Sequence, residues 1–175
     1  MSKRTAILSL MVLGLSVFAV AQKQRPSPAA QAQCSLPDGK TIAINYSSPR
    51  MKGRKIFGEL VPYGEVWRTG ANEATTFVTT ANLNVGGGSV PAGNYTLFTV
   101  PNEKSWKLII NKKTGEWGIP YKYESDELAR VDMQVTPTMS GVEDFTIDLD
   151  QADHGCVLSM SWENTKASVR IIEEK

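Results

Sequence analysis

The chain has 175 residues, and 19 Lys and Arg side chains against 18 Asp and Glu give it a formal net charge of +1. This near-neutral balance supplies no broad electrostatic attraction to nucleic acid or to an anionic membrane surface, so we expect neither as a partner. The length favours a single domain.

Residues 1–21 have the pattern of a secretory signal peptide. Lys3 and Arg4 precede an apolar run over residues 6–20, and the run ends in the small residues Ala19 and Ala21. This arrangement predicts cleavage near Gln22 and an exported protein, periplasmic or extracellular, with no membrane span after cleavage. An uncleaved anchor is the alternative.

Residues 22–34 are rich in Gln, Ala and Pro and contain no large apolar side chain, which predicts a flexible leader. The remaining residues, 35–175, are then the folded domain. Cys34 and Cys156 are the only cysteines. In an oxidising compartment two such thiols favour a disulfide, and a pair of free cysteines is the alternative.

Residues 48–75, between the first two predicted strands, are the one stretch whose composition suggests a site. Charged groups, a tryptophan and four glycines alternate there, which is typical of a rigid polar loop. The candidate binding residues are Arg50, Arg54, Trp67, Arg68, Asn72 and Glu73. Arginine and asparagine beside an aromatic ring suit a small polar ligand, such as a glycan or a peptide.

Two other interpretations of this loop remain open. The one that we favour is a structural salt-bridge network in which Arg50, Arg54 and Arg68 neutralise Glu59, Glu65 and Glu73. Alternatively, two of these glutamates could act as acid and base of a glycan hydrolase, if one has its pKa raised by an apolar neighbour. We expect a non-enzymatic binding or structural module, with the paired-carboxylate hydrolase as the alternative.

The rest of the folded domain alternates apolar and polar residues with a period of two, which is typical of half-buried strands. Strands are predicted around 41–46, 77–85, 95–100, 106–110, 131–135, 145–149, 156–162 and 167–171, with a hairpin-like connection at 163–166. The strand at 95–100 is apolar on both faces, which predicts a central strand. About eight strands and no long helix predict an all-β antiparallel sandwich of two sheets, jelly-roll-like in one version. A closed barrel satisfies the same pattern.

Shorter features complete this prediction. Short helical turns are predicted at residues 54–58 and 125–129, the second capped by Ser125 or Asp126. Trp117, Tyr121 and Tyr123 lie in a turn-rich segment, and we expect them to cover an end of a sheet rather than to line a pocket.

Motifs for common chemistries are missing from the sequence. It contains no phosphate-binding glycine loop, no dinucleotide fingerprint, no Gly-x-Ser-x-Gly and no His-Glu-x-x-His. The single histidine, His154, cannot build a multi-histidine zinc site. Asp148, Asp150 and Asp153 do not follow the spacing of a calcium loop, and we interpret them as solvated acids. No cofactor and no metal are therefore expected.

The loop also carries a family resemblance. Its matching segments are SPR at 48–50, GR at 53–54, IFG at 56–58, LVPYG at 60–64 and WRTGANEAT at 67–75, with AGNYTLFTVP at 92–101. Together they resemble a bacterial family known as domain of unknown function 2911, from about residue 35 to the end. The resemblance implies an exported or envelope-associated protein with no assigned activity and no established catalytic residues. It lends no support to the disulfide.

Overall fold

A computed structural model of the protein describes residues 25–174, so the expected signal peptide lies outside the described residues. The strands are β1 (Ala29–Ser35), β2 (Thr41–Ser47), β3 (Thr75–Thr79), β4 (Leu83–Val85), β5 (Gly88–Val90), β6 (Gly93–Val100), β7 (Ser105–Asn111), β8 (Glu127–Ala152) and β9 (Gly155–Glu173). All pair antiparallel in one sheet of order β1-β2-β3-β6-β7-β8-β9-β4-β5. The predicted all-β antiparallel class is confirmed.

The core is enclosed because the long β8–β9 hairpin bends over the start of the sheet. Pairing along the hairpin is irregular between Pro137 and Val142 and again before Thr146. Beyond these irregularities the hairpin packs on β1 and β2, where Tyr46 Oη accepts a 3.0 Å hydrogen bond from the backbone N–H of Ile147. We expected two separate sheets, and the structure has instead one continuous sheet over the described residues.

Three strand boundaries differ from the prediction. Residues 131–149 form one strand, as do residues 156–171, and the expected hairpin at 163–166 is wrong. Only Glu163 there has a left-handed φ, 55°, and the strand resumes its pairing with β8 at Thr165. Residues 77–85 are instead two strands that are not paired with each other, although both bury their apolar side chains.

The flexible leader expected over residues 22–34 is wrong from Ala29 onward. Strand β1 pairs with β2 along its whole length, from Ala29 opposite Ser47 to Ser35 opposite Thr41. Its backbone hydrogen bonds compensate for the lack of large side chains, and Ala32 is buried in the core. The predicted disulfide between Cys34 and Cys156 is confirmed.

Helical structure among the described residues is limited to a 3-10 turn at Glu124–Asp126. It lies close to the second predicted turn, but no side chain caps it, so the expected cap by Ser125 or Asp126 is wrong. Residues 54–58 form turns around a bridge between Phe57 and Val61 rather than a helix. Within residues 25–174 there is no helix that is both long and apolar enough to cross a membrane.

Strand β6 is buried on both faces, as predicted for a central strand. On the face away from the main core, Phe98 contacts Tyr121 and Tyr123, with ring centroids 4.8 and 6.0 Å apart. These two tyrosines cover the sheet as expected. Trp117 does not, because its side chain remains 55% exposed.

Candidate functional site

The polar loop, residues 48–74, is fixed to two strands by backbone hydrogen bonds. Near its start, Met51 N–H donates to Glu143 O and Phe145 N–H donates to Pro49 O, both at 2.9 Å. Further along, Trp67 and Thr99 exchange two hydrogen bonds of 2.8 and 2.9 Å. The loop is thus a built part of the fold, anchored on β8 and β6.

An aromatic cluster lies under this loop. Trp67 stacks on Trp162 with ring centroids 5.9 Å apart and an angle of 16°, and it also contacts Phe57 and Phe145 edge-on. The indole N–H of Trp67 donates to Gly70 O at 3.1 Å. Because Trp67 is only 9% exposed, it is first of all a core residue, and little of its surface is open to a ligand.

Above the cluster is a pocket of about 420 Å³. The loop, the N-terminal segment (residues 25–28, before β1), β9 and residue 119 all contribute to its wall. Its lining residues are Pro26, Ser27, Pro49, Arg50, Lys52, Arg54, Leu60, Val61, Trp67, Arg68, Gly70, Ala71, Asn72, Ile119 and Trp162. This volume is within the range of sites for small organic molecules.

All the charged side chains that line this pocket are cationic: Arg50, Lys52, Arg54 and Arg68. Arg50 pairs with Asp144, Nε to Oδ1, at 2.9 Å. Arg54 donates to the backbone oxygens of Met51 and Arg50. Within residues 25–174, Lys52, Arg54 and Arg68 form no salt bridge with a carboxylate. The pocket therefore has excess positive charge.

Arg68 is held in position by neutral groups. Its Nη1 donates to the backbone oxygens of Asn72 and Trp117, and its guanidinium carbon lies 4.9 Å from the centre of the Trp117 ring. Burial lowers the pKa of Arg68, and the charge of Glu73 opposes this shift. The group stays protonated near neutral pH because an arginine pKa is far above it. Arg68 is thus a positioned cation, and its Nε and Nη2 groups can still donate hydrogen bonds to a ligand.

Asn72 connects the pocket to the N-terminal segment. Its Nδ2 donates to Ser27 O at 3.1 Å and to Ser47 Oγ at 3.0 Å, and its backbone has a left-handed φ of 58°. Its neighbour Glu73 is exposed and accepts hydrogen bonds of 2.9 and 2.6 Å from Arg25, which lower the pKa of Glu73. Asn72 therefore helps to build the wall, whereas Glu73 lies outside the pocket.

The structure brings five of the six candidate residues to this pocket: Arg50, Arg54, Trp67, Arg68 and Asn72. The expected network between the loop arginines and the loop glutamates is wrong. Among residues 25–174, Glu73 pairs with Arg25, Glu59 pairs with Lys55, and no arginine of the loop pairs with either. Glu65 borders a separate pocket, also of about 420 Å³, that Ile119 helps to line. None of the three glutamates lines the cationic pocket.

Several lining residues were not singled out from the sequence. Lys52 and Leu60 are in the loop itself, and its position among the loop's basic residues is the sequence signal that could have identified Lys52. Ile119 and Trp162 come from distant parts of the chain, as does Asp144, the partner of Arg50. No sequence signal marks these three as neighbours of the loop.

A larger cleft of about 840 Å³ lies beside the β1–β2 turn and the C-terminal end of β9. Its one lysine, Lys40, is held by Asp38 and by Glu173, whose oxygen is 2.7 Å from Nζ. Its third carboxylate, Glu174, accepts hydrogen bonds from Asn84 and Ser89. The lysine and the carboxylates that line the cleft therefore all have partners within the protein. Among residues 25–174 no three His, Cys, Asp or Glu side chains are grouped to hold a metal ion.

Comparison with known proteins gives a family and nothing more specific. A family model described as "Protein of unknown function (DUF2911)" matches residues 27–171. No curated protein and no solved structure matches the chain.

Proposed function

The chain belongs to the DUF2911 family of proteins of unknown function, and we propose that it is a non-enzymatic binding protein for a small anionic ligand. The ligand occupies the cationic pocket between the loop, the N-terminal segment and residue 119. Its carboxylate or phosphate oxygens accept hydrogen bonds from Arg68, Arg54 and Lys52.

One observation carries this proposal: the pocket gathers four cations, and three of them have no carboxylate partner among the described residues. Like charges held close together repel one another, so an anion in their midst is favoured. Guanidinium groups form charge-assisted hydrogen bonds with carboxylate and phosphate, and these are stronger than neutral ones. Arg68 is already oriented by two backbone oxygens, which reduces the entropy lost on binding.

The lining residues also favour binding over catalysis. The described residues that line the pocket include no Asp, Glu, His or Cys, so Ser27, the serine in the lining, has no carboxylate or imidazole among them to accept its proton. The glutamates of the alternative hydrolase lie outside the pocket, so no observation favours that alternative.

We further propose that the protein acts outside the cytoplasm, in the periplasm or the extracellular space. The signal-like pattern of residues 1–21 supports export. The Cys34–Cys156 disulfide agrees with an oxidising compartment, where such bonds persist.

Calorimetric titration with inorganic phosphate, succinate and citrate at low ionic strength tests the anion site. The variant Lys52→Gln/Arg54→Gln removes two exposed cations of the pocket without disturbing the core. Its matched control, Lys55→Gln/Lys107→Gln, removes two exposed cations that do not line the pocket. Circular dichroism checks that both variants are folded.

We expect saturable binding of at least one probe, weakened about tenfold or more in the pocket variant and less than about twofold in the control, because charged hydrogen bonds contribute about 1.5–3 kcal/mol each. Equal losses in both variants would mean nonspecific attraction. That result, or the absence of saturable binding with all three probes, would refute the proposal.

A further inference from the structure

The apolar residues around the cationic pocket carry information about its ligand. Leu60 and Ile119 line the pocket, yet 44% and 37% of their surfaces remain exposed. Trp117, two residues before Ile119, is 55% exposed while its ring covers the guanidinium of Arg68.

Exposed apolar side chains are concentrated at this place. Of the six large hydrophobic side chains that are exposed among the described residues, four belong to the loop or to the segment that faces it. They are Leu60 and Tyr63 in the loop, and Trp117 and Ile119 in residues 116–120. The other two, Met139 and Ile172, belong to β8 and β9. A local concentration of this kind is typical of a binding surface.

The facing segment is held firmly against the loop. Ala74 N–H donates to Glu116 O, and Trp117 O accepts from Arg68. A Cβ at Gly118 would lie 2.9 Å from the Cβ of Ala74, so the backbones approach as closely as packing allows. The contacts of residues 116–118 with the loop therefore hold Ile119 in its exposed position.

From this arrangement we infer that the ligand is an organic anion with a carbon body, aromatic or branched, attached to a single carboxylate or phosphate group. The anionic group binds the cations, and the carbon body lies on Leu60 and Ile119 and extends toward Trp117. This inference rests on the proposed function and specifies the ligand class of the same site.

A bare inorganic anion would contact only the cationic part of the site. It would satisfy the cations but leave Leu60 and Ile119 in water. An aromatic ring that covers both side chains removes apolar surface on the protein and on the ligand, at about 25 cal/mol per Å². Covering roughly 60 Å² in this way corresponds to about a tenfold gain in affinity.

Two pairs of probes separate the anionic group from the carbon body: inorganic phosphate against phenyl phosphate, and acetate against benzoate. Each is titrated calorimetrically into the wild type, Ile119→Ser and Leu60→Ser. The matched control is Ile172→Ser, because Ile172 is exposed to the same 37% but does not line this pocket.

We expect the ring to increase affinity about tenfold in the wild type and in Ile172→Ser. Ile119→Ser and Leu60→Ser should each lose most of this increase while binding inorganic phosphate as the wild type does.

Two outcomes would overturn the inference and leave the anion site standing. In the first, the probes with and without a ring bind equally well to the wild type. In the second, both pocket variants weaken inorganic phosphate as much as phenyl phosphate, which would assign Leu60 and Ile119 to maintaining the cations. If none of the four probes binds, the proposed function fails together with the inference.

Discussion

Loss of the Cys34–Cys156 disulfide should remove a large part of the protein's stability. The bond connects β1 to β9 across 122 residues of sequence. In the chain-entropy model, closing a loop of that length stabilises the folded state by about 5 kcal/mol. That is comparable to the whole free energy of unfolding of many domains. For a domain of this size it corresponds to a fall in melting temperature of about 10–20 °C.

Urea unfolding followed by tryptophan fluorescence measures this loss. Both cysteines are buried, at 4% and 0% exposure, so the wild type must be reduced in denaturant and refolded under reductant. Cys34→Ala/Cys156→Ala provides an independent removal of the bond, and added reductant should not change its stability. The m-value should rise in both cases, because the unfolded chain without a cross-link exposes more surface.

A loss below about 1 kcal/mol, with a cooperative transition retained, would refute this reasoning. It would mean that the reduced unfolded chain is already restricted, or that β1 stays docked by its pairing with β2 alone. The N-terminal segment that lines the pocket precedes β1, so anion affinity should be measured on the same samples.

Three further predictions concern the surroundings of the site. Gly118→Ala should lower the free energy of unfolding by about 2 kcal/mol or more in urea and weaken anion binding, because a Cβ there meets neighbouring atoms at 2.9–3.1 Å. Gly115→Ala is the control. Nothing lies within 4 Å of a Cβ there, so this change should cost only about 1 kcal/mol for its left-handed φ. Trp67→Ala should cost about 3–5 kcal/mol by thermal unfolding, and a loss of ligand binding without destabilisation would contradict its place in the core. Partial burial opposes ionisation of Glu127, but hydrogen bonds from Arg130 and a tyrosine hydroxyl outweigh it and lower the pKa of Glu127. The stabilisation by ionised Glu127 is therefore present at pH 7 and lost as pH falls through that lowered pKa. The difference in free energy of unfolding between the wild type and Glu127→Gln should accordingly disappear in acid. A difference that does not change with pH would contradict this.

Part of the candidate site could be predicted because its residues are close in sequence. Arg50, Arg54, Trp67 and Arg68 occur within one unusual loop, and the structure collects them at one pocket. The partner of Arg50 could not be predicted, since Asp144 is more than 90 residues away in sequence.

The error about the glutamates has the same origin. Opposite charges in one loop were expected to pair with each other, but a loop anchored on β6 and β8 directs its side chains to different sides. Glu73 therefore meets Arg25 from the N-terminal segment. Three of the four pocket cations, Lys52, Arg54 and Arg68, have no carboxylate partner among residues 25–174.

The sequence by itself determined the all-β class, the burial of β6 on both faces and the identity of the two bonded cysteines, because side-chain alternation and cysteine number are local or compositional properties. Only the tertiary structure decided that β8 and β9 run on as single bent strands and that Ala29–Ser35 joins the sheet. These features depend on backbone hydrogen bonds to distant strands, which leave little trace in side-chain pattern. The cationic pocket likewise exists because the bent hairpin and the segment at residues 116–120 meet the loop in space, and contacts of such long sequence separation are set by packing of the whole chain.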